Sequence, residues 1–197
     1  MNATEEKARR SIGARRNPAS AEAILDAAEA VLHEAGYSGF SIEAVARRAR
    51  AGKPTIYRWW PSKAALLIEV YQRQKRDIVY ADTGNIEEDL FQFLRSLFGS
   101  WRDTPAGNIF RSLIAEAQFD AAAAEALADY ARGRRAYTGK LVERAIDRGE
   151  VARGVDPSQI ADMVSSYAWT HLLTGRLDES EDKLRAAVGA IVNGIKV

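Results

Sequence analysis

The chain has 197 residues, with 28 Lys and Arg against 27 Asp and Glu, a formal net charge of +1 and no cysteine. The lack of cysteine excludes disulfide bridges, thiolate metal sites and cysteine nucleophiles. The two histidines, His33 and His171, are far apart in the sequence. A histidine-rich metal site is therefore not expected, and no cofactor is predicted.

The small net charge hides an uneven distribution. Residues 1–80 carry 14 basic and 9 acidic side chains, whereas residues 81–197 carry 14 basic and 18 acidic ones. A basic first part followed by an acidic remainder is typical of a nucleic-acid-binding domain joined to a body with another role. Ordinary surface variation is the alternative interpretation.

Two kinds of apolar segment are missing from the sequence. No apolar run approaches the roughly 18–20 residues that a membrane span needs. The N-terminal residues also lack the apolar segment of a signal peptide. We therefore expect a cytoplasmic protein without a membrane partner.

Residues 1–16 contain five basic side chains and almost no apolar ones, which predicts a flexible basic arm. Such an arm can follow DNA phosphates or enter the minor groove, or it can be a solubilising tail without specific contacts. After it, Asn17 and Pro18 predict a helix start, and the first helix is expected to stop at Gly36. Its apolar stripe comprises Ile24, Ala27, Ala28, Val31, Leu32 and Ala35.

The stretch from Ser41 to Lys63 predicts two short helices joined by a tight turn. Ser41 is a good N-cap, and apolar residues follow at positions 42, 45, 46 and 49, which is the spacing of one buried helical face. The second helix covers residues 53–60, with Pro54 tolerated in its first turn and with Ile56 and Trp60 facing inward. This is the layout of a helix-turn-helix whose second helix enters the DNA major groove.

Together with the helix before it, this stretch resembles the DNA-binding domain of TetR/AcrR-family transcriptional regulators over roughly residues 20–70. A departure lies at the turn, where the family usually has Ala-Gly-Val-Ser and this chain has Ala49-Arg50-Ala51-Gly52. If Arg50 adopts the left-handed backbone expected there, it costs on the order of 1 kcal/mol. The matching elements are Ala27-Ala28, Gly36-Tyr37, Ser41, Val45-Ala46, Lys53-Pro54-Thr55-Ile56-Tyr57 and Ser62-Lys63.

The resemblance implies that these short helices bind double-stranded DNA. Lys53 is the best base reader by residue type, because lysine can donate to guanine O6 and N7. Glu43 can accept from a cytosine amine, or it can simply balance the helix dipole. The DNA-binding residues predicted in this way are Ser41, Glu43, Gly52, Lys53, Pro54, Thr55, Tyr57, Arg58, Trp59 and Lys63.

The rest of the chain predicts further helices. A helix from Ser62 to about Tyr80 would connect the two parts, and Asn85 would cap the next one in a capping-box pair with Glu88. The alanine-rich run from 121 to 149 predicts a long helix that two glycines interrupt. Two more helices are expected, at about 157–175 and 180–195. No alternating β pattern is present, so we expect an all-α fold of about nine helices.

Three regions follow from this division: an arm at 1–16, a DNA-binding domain with a connecting helix at 17–80, and a ligand-binding and dimerisation body at 81–197. The body is rich in aromatic residues, and pockets between helices commonly have aromatic linings, although core packing is the alternative for each ring. The predicted pocket residues are Trp101, Phe110, Arg111, Gln118, Phe119, Tyr130, Tyr167 and His171. The resemblance implies a homodimer formed by the last two helices, with the predicted contacts Met163, Val164, Tyr167, Leu184, Val188, Ile191, Val192 and Ile195.

Catalysis has little support, because no phosphate-binding glycine loop, no HExxH and no G-x-S-x-G motif occurs. The sequence thus predicts a homodimeric transcriptional regulator, typically a repressor in this family, that a small-molecule effector releases from a palindromic operator. The alternative is a small-molecule-binding or enzymatic helical bundle that has lost DNA binding.

Overall fold

The computed structural model describes residues 18–74 and 78–195, which form nine α-helices and no β-strand. The predicted basic arm and the Asn17 cap lie outside the described residues. The prediction of an all-α fold is confirmed. The helices are α1 (Pro18–Gly39), α2 (Ile42–Ala49), α3 (Lys53–Trp59), α4 (Lys63–Gln74), α5 (Ile86–Asp103), α6 (Ala106–Glu116), α7 (Ala121–Arg148), α8 (Pro157–Leu173) and α9 (Glu181–Asn193).

The described residues divide into two compact units on either side of the Pro61–Ser62 bond. The first unit contains α1 to α3, in which α1 packs on α2 and α2 packs on α3. The second unit contains α4 to α9. Its helices α4, α5, α6 and α8 all contact α7 or one another, and α9 packs on α5.

The first helix differs from its prediction at its C-terminal end. Gly36 has φ 63° and ψ −173°, so the straight part of the helix ends there as predicted, and a kinked turn continues to Gly39. Glycine accepts this backbone because it has no Cβ. Ala35 is exposed, although it was placed on the apolar stripe, and Leu25 is buried in addition to the predicted residues.

The helix α4 is shorter than predicted. Ser62 caps it by accepting from the amide of Ala65 at 3.1 Å. Its described part runs to Gln74, and residues 78–80 are not helical. The extension to Tyr80 is therefore wrong. Side-chain contacts hold the extended segment instead, since Val79 N donates to Ser96 Oγ at 3.0 Å and the Tyr80 ring lies 5.1 Å from that of Phe93.

The start of α5 combines a confirmed cap with a failed one. Asn85 Oδ1 accepts from the amides of Glu87 and Glu88 at 2.9 and 3.3 Å. Glu88 does not return a bond to Asn85, because its oxygens accept from Gln92 and Arg185. The capping box is therefore wrong.

The fully buried carboxylate beside this cap, Asp89, was not singled out from the sequence. Its Oδ1 accepts from the amide and hydroxyl of Thr83 at 2.8 and 2.7 Å. These bonds satisfy a charged oxygen that would otherwise be costly to bury.

The alanine-rich run is one uninterrupted helix of 28 residues, so the predicted interruption by Gly133 and Gly139 is wrong. Gly139 is buried, and a Cβ placed on it would lie 3.7 Å from Pro157 at the start of α8. This is an ordinary van der Waals distance, so Gly139 lies in the contact between α7 and α8. Gly149, with φ 80°, ends the helix.

The last two helices begin and end near the predicted positions, and Asp156 and Ser180 are their N-caps. Their buried faces are formed by Ile160, Val164 and Leu172 on α8 and by Leu184, Val188 and Val192 on α9. In the described part of the chain, no helix is both long enough and apolar enough to cross a membrane.

Candidate nucleic-acid interface and internal cavity

Helix α2 is fixed by its cap and by two buried side chains. Ser41 Oγ accepts from the amide of Ala44 at 3.1 Å, as predicted, while Ile42 and Val45 are buried. The opposite side is basic and exposed: Arg47 lies in solvent, and Arg48 pairs with Glu34 at 2.7 Å. The helix therefore presents positive charge on its solvent side.

The turn after α2 is built on Arg50, which has φ 51° and ψ 38° and ends the helix in the left-handed region. The left-handed backbone expected at this position is confirmed. Ala51 N donates to Ala46 O at 3.0 Å, which satisfies a carbonyl that the helix end would leave unpaired. Gly52 then precedes α3 without a side-chain cap.

Helix α3 is anchored by Ile56 and Trp60, both almost completely buried. Their spacing turns the predicted contact residues outward: Lys53, Pro54 and Arg58 are exposed, and Tyr57 keeps 47% of its surface in solvent.

Two neighbouring tryptophans pack against each other at the C-terminal end of α3. Trp59 is half-buried and meets the ring of Trp60 edge-on at 5.9 Å. The Arg58 guanidinium lies 5.6 Å above the Trp59 ring. Thr55 is also half-buried, so α3 shows a mixed polar, aromatic and basic surface to solvent.

The predicted base reader and the predicted acidic contact are paired with each other. Lys53 Nζ lies 2.9 Å from Glu43 Oε1, and both side chains are exposed. The hydrogen bond from Lys53 lowers the pKa of Glu43, and the same bond raises the pKa of Lys53. Both groups are therefore charged at neutral pH, and a DNA phosphate or base would have to compete with Glu43 for the lysine.

The last predicted DNA contact, Lys63, belongs to the second unit. Its Nζ lies 3.1 Å from Glu116 Oε1 at the end of α6. Burial, helped by the nearby charge of Asp120, raises the pKa of Glu116 despite this pairing.

The second unit contains a cavity of about 340 Å³ bounded by α5, α6, α7 and α8. A volume of this size lies at the lower end of the range for small-molecule pockets. We divide its main lining into an aromatic set (Phe93, Trp101, Phe110, Tyr130 and Trp169, with the aliphatic Leu97 beside them) and a polar set (Arg134, Arg135, Thr138, Asp162, Ser165 and Ser166).

Three rings of the aromatic set surround Phe110. Its ring lies 5.7 Å from Trp101, 5.5 Å from Tyr130 and 5.4 Å from Trp169. Behind it, Tyr71 stacks on Phe110 at 4.8 Å and accepts a hydrogen bond of 2.8 Å from Trp101 Nε1. Burial raises the pKa of Tyr71 and of Tyr130, so both hydroxyls stay neutral.

The polar set comes entirely from α7 and α8, which pack against each other. Arg135 Nε donates to Asp162 Oδ1 at 2.7 Å, so this pair is neutral as a unit. Arg134 has no such partner among the described residues: its guanidinium donates to the Tyr80 hydroxyl and lies 5.2 Å from the rings of Tyr80 and Tyr137. Burial lowers its pKa below the usual value of an arginine.

Three of the eight predicted pocket residues line this cavity, namely Trp101, Phe110 and Tyr130. Phe119 is instead 94% exposed beyond the end of α6. The other four lie outside the lining as well: Arg111, Gln118, Tyr167 and His171. Sequence reasoning missed the two arginines of the polar set, since basic residues in a long helix are usually solvated.

His171 has a structural position beside Tyr167 and Glu179. Nδ1 lies 2.9 Å from the carbonyl oxygen of Tyr167, and Nε2 lies 3.2 Å from Glu179 Oε2. Both neighbours are hydrogen-bond acceptors. Hydrogen bonds from Lys183 and then from His171 lower the pKa of Glu179.

Half of the predicted dimer contacts are buried within the single chain. Val164, Leu184, Val188 and Val192 belong to the core of the second unit, so they cannot form a surface between subunits. Packing within one chain is the alternative interpretation of this apolar stripe, and for these four residues it describes the structure. The accessible members are Met163, which is 58% exposed, and the half-buried Tyr167, Ile191 and Ile195.

Comparison with known proteins matches both units. A family described as "Bacterial regulatory proteins, tetR family" matches residues 24–70, and one described as "Tetracyclin repressor-like, C-terminal domain" matches residues 80–191. The uncharacterized HTH-type transcriptional regulator YdeS of Bacillus subtilis is 26% identical over 186 residues, which is 93% of each chain.

A second relative and a solved structure give the same picture. The DNA-binding transcriptional repressor TetR of Mycobacteroides abscessus is 32% identical over 183 residues, covering 88% of this chain and 90% of that protein. The crystal structure of the TetR family transcription regulator SCO0332 has a TM-score of 0.75 at 30% identity, covering 90% of this chain and 98% of that one.

Proposed function

This chain belongs to the TetR family of bacterial transcriptional regulators, and from this premise we propose that it is a homodimeric repressor released from a palindromic operator by a small molecule. The observation that carries the proposal is the exposed face of α3. Ile56 and Trp60 are buried there, and Lys53, Pro54 and Tyr57 are left in solvent. A short helix fixed in this way can enter a major groove without any change in its own packing.

The roles of the exposed residues follow from their chemistry. Tyr57 and Thr55 carry hydroxyls that can donate to phosphate oxygens, and such contacts set the register on DNA. Lys53 can donate to guanine, which would contribute sequence selectivity. Because Lys53 is already charged and paired with Glu43, DNA binding exchanges one anionic partner for another.

The homodimer is proposed to use the accessible side of α8 and α9. Met163 and Leu173 are large apolar side chains with more than half of their surface in solvent, at 58% and 51%, and apolar area of this kind favours association. A two-fold dimer would present two copies of α3 to half-sites about 34–36 Å apart or a multiple of that distance, and the operator would then be a palindrome.

Release by an effector is proposed as a population shift. A molecule that binds the cavity better in one arrangement of the dimer than in another moves the equilibrium by its difference in affinity. The cavity lined by α5, α6, α7 and α8 supports this role because its lining is partly polar and partly aromatic. The repressor named among the relatives supports the proposed sign of regulation.

The test is footprinting of the purified protein on the DNA upstream of its own gene at low salt, together with Lys53→Ala and Tyr57→Ala. We expect a protected palindrome for the wild type and loss of protection for both variants, with the oligomeric state and the far-ultraviolet spectrum unchanged. His33→Ala is the matched control, because His33 is exposed on α1 and is not among the predicted contacts.

The alternative of a helical bundle without DNA binding rests on Arg50 and Gly52, which depart from the family at the turn. No protected site for the wild type at low salt would favour it. Protection without sequence preference and with a steep salt dependence would instead indicate a non-specific DNA-coating protein.

A further inference from the structure

The lining of the cavity carries an excess of positive charge. Two guanidiniums, Arg134 and Arg135, and one carboxylate, Asp162, line it, and the carboxylate is 2.7 Å from Arg135. Arg134 remains without an acidic partner among the residues that the structure describes. The cavity therefore holds one uncompensated positive charge.

Arg134 is half-buried, which makes this charge more costly than one on the surface. Burial holds its pKa below the usual value, and its hydrogen bond to Tyr80 is to a neutral hydroxyl. The ring faces of Tyr80 and Tyr137, each 5.2 Å away, offset part of the cost. A negative group entering the cavity would compensate the rest.

The aromatic set determines what else the ligand must contain. The indole N–H of Trp101 is already donated to Tyr71, so this part of the lining offers mainly ring faces to a guest. Aromatic pairs prefer stacked and edge-to-face geometries, as Phe110 already makes with its neighbours. A flat, apolar ring system therefore fits this side of the cavity.

We propose that the effector is a planar aromatic carboxylate whose ring system packs against the aromatic set and whose carboxylate pairs with Arg134. The planar guanidinium matches a carboxylate through two parallel hydrogen bonds. Ser165 and Ser166, from α8, supply hydroxyl donors in the same lining. A single negative charge balances the single excess positive charge, whereas a cationic ligand would increase it. This inference rests on the proposed role of the cavity as the effector site.

The experiment is titration calorimetry of the full chain with three probes that share one ring system and differ in charge: 2-naphthoate, 2-naphthamide and 2-naphthylmethylammonium. We expect 2-naphthoate to bind most tightly and the ammonium compound most weakly. In Arg134→Met, the affinity for 2-naphthoate should fall by about tenfold to a hundredfold, the usual effect of a charge-assisted hydrogen bond. The affinity for 2-naphthamide should stay within about twofold, because the apolar volume is kept.

Two further variants guard against a change that is merely structural. Arg132→Met is the matched control, since Arg132 is exposed on the same helix and pairs with Asp129 outside the cavity; it should leave all three affinities unchanged. Asp162→Asn removes the partner of Arg135 and adds a second uncompensated cation. It should strengthen 2-naphthoate binding several-fold, which Arg134→Met cannot mimic even if that variant folds poorly.

The outcomes separate this inference from the proposed function. Tighter binding of the ammonium probe, no binding of 2-naphthoate to the wild type, or an equal loss of naphthoate and naphthamide in Arg134→Met overturns the inference, whatever the footprint shows. Arg134-dependent binding of 2-naphthoate supports the inference even if the probe leaves a protected operator in place. In that case the proposed release from DNA is what fails.

Discussion

Most of the candidate DNA contacts belong to a seven-residue helix of the first unit, whereas the candidate ligand contacts come from four helices around a cavity of the second unit. Residues close together in the sequence form most of the first site, and residues up to 76 positions apart form the second. A side chain on the surface can be substituted with little effect on packing. A side chain that lines the cavity also packs in the core, so its substitution changes the stability of the fold. Function and stability are thus separable in the first unit and joined in the second.

This contrast predicts its largest effect at Phe110, the centre of the aromatic set. Phe110→Ala should lower the free energy of unfolding by about 3–5 kcal/mol, because it removes a fully buried ring and leaves a void. Urea denaturation measures this loss. Phe119→Ala is the matched control at an almost fully exposed ring and should stay within about 0.5 kcal/mol. Equal effects at both positions would contradict the separation between core and surface.

A smaller effect of opposite sign is expected at the turn of the first unit. Arg50→Gly should raise the free energy of unfolding by about 0.5–1 kcal/mol, because the left-handed backbone at φ 51° costs arginine more than glycine's extra chain entropy does. Arg47→Gly, in the right-handed helix three residues earlier, should lower it by about 1 kcal/mol. Urea denaturation of both variants tests the sign, and destabilisation by Arg50→Gly would show that the turn is not strained.

The exposed pair of the first unit should affect DNA binding rather than folding. Glu43→Gln removes the partner that DNA must displace from Lys53, so affinity at low salt should rise. If Lys53 then contacts a phosphate, the slope of log affinity against log salt should steepen by about 0.9. The measurement is fluorescence anisotropy with operator DNA across a salt series.

Glu34→Gln is the control for this prediction. This variant removes the carboxylate that pairs with Arg48, just as Glu43→Gln removes the carboxylate that pairs with Lys53. Arg48 is not among the predicted DNA contacts. An equal steepening in both variants would indicate that any released cation contributes and that Lys53 has no special position.

The smallest effect is a pH dependence in the second unit. The hydrogen bond from Lys183, followed by that from His171, lowers the folded-state pKa of Glu179 from 4.5. A carboxyl whose pKa is lower in the folded state than in the unfolded state stabilises the fold at any pH above its unfolded-state pKa. This stability is lost as the pH falls through the folded-state pKa. Glu179→Gln should therefore be less stable than the wild type at pH 7, and the difference should shrink below about pH 4.5.

Thermal unfolding of the two proteins between pH 3 and pH 7 measures this difference. Lys183→Gln should reproduce part of the pH dependence, since it removes the larger of the two hydrogen-bond contributions. A difference between Glu179→Gln and the wild type that is constant over the whole range would contradict the assignment.

Local sequence signals predicted the features that local interactions determine. The family, the all-α fold, the caps at Ser41 and Asn85 and the left-handed backbone at Arg50 are confirmed, because each depends on residues that are close together in the sequence. The roles in DNA binding, ligand binding and dimerisation stay predictions.

Features that depend on distant residues could not be predicted in this way. The periodicity of α9 identifies Val188 and Val192 as buried but not whether the same chain or another subunit buries them. Gly139 looked like a break because its packing partner, Pro157, comes from the next helix. Arg134 looked solvated because Tyr80, its partner, is 54 residues away.

The four tryptophans of the chain are divided equally between the units. Trp59 and Trp60 lie at the end of α3, while Trp101 and Trp169 line the cavity. The tryptophan fluorescence of the protein is therefore the sum of the signals from these two pairs. If phenylalanine replaces Trp59 and Trp60, the remaining tryptophan fluorescence comes only from the cavity. If it replaces Trp101 and Trp169, the remaining tryptophan fluorescence comes only from the candidate DNA surface. Changes at either site could then be followed by tryptophan fluorescence without an added dye.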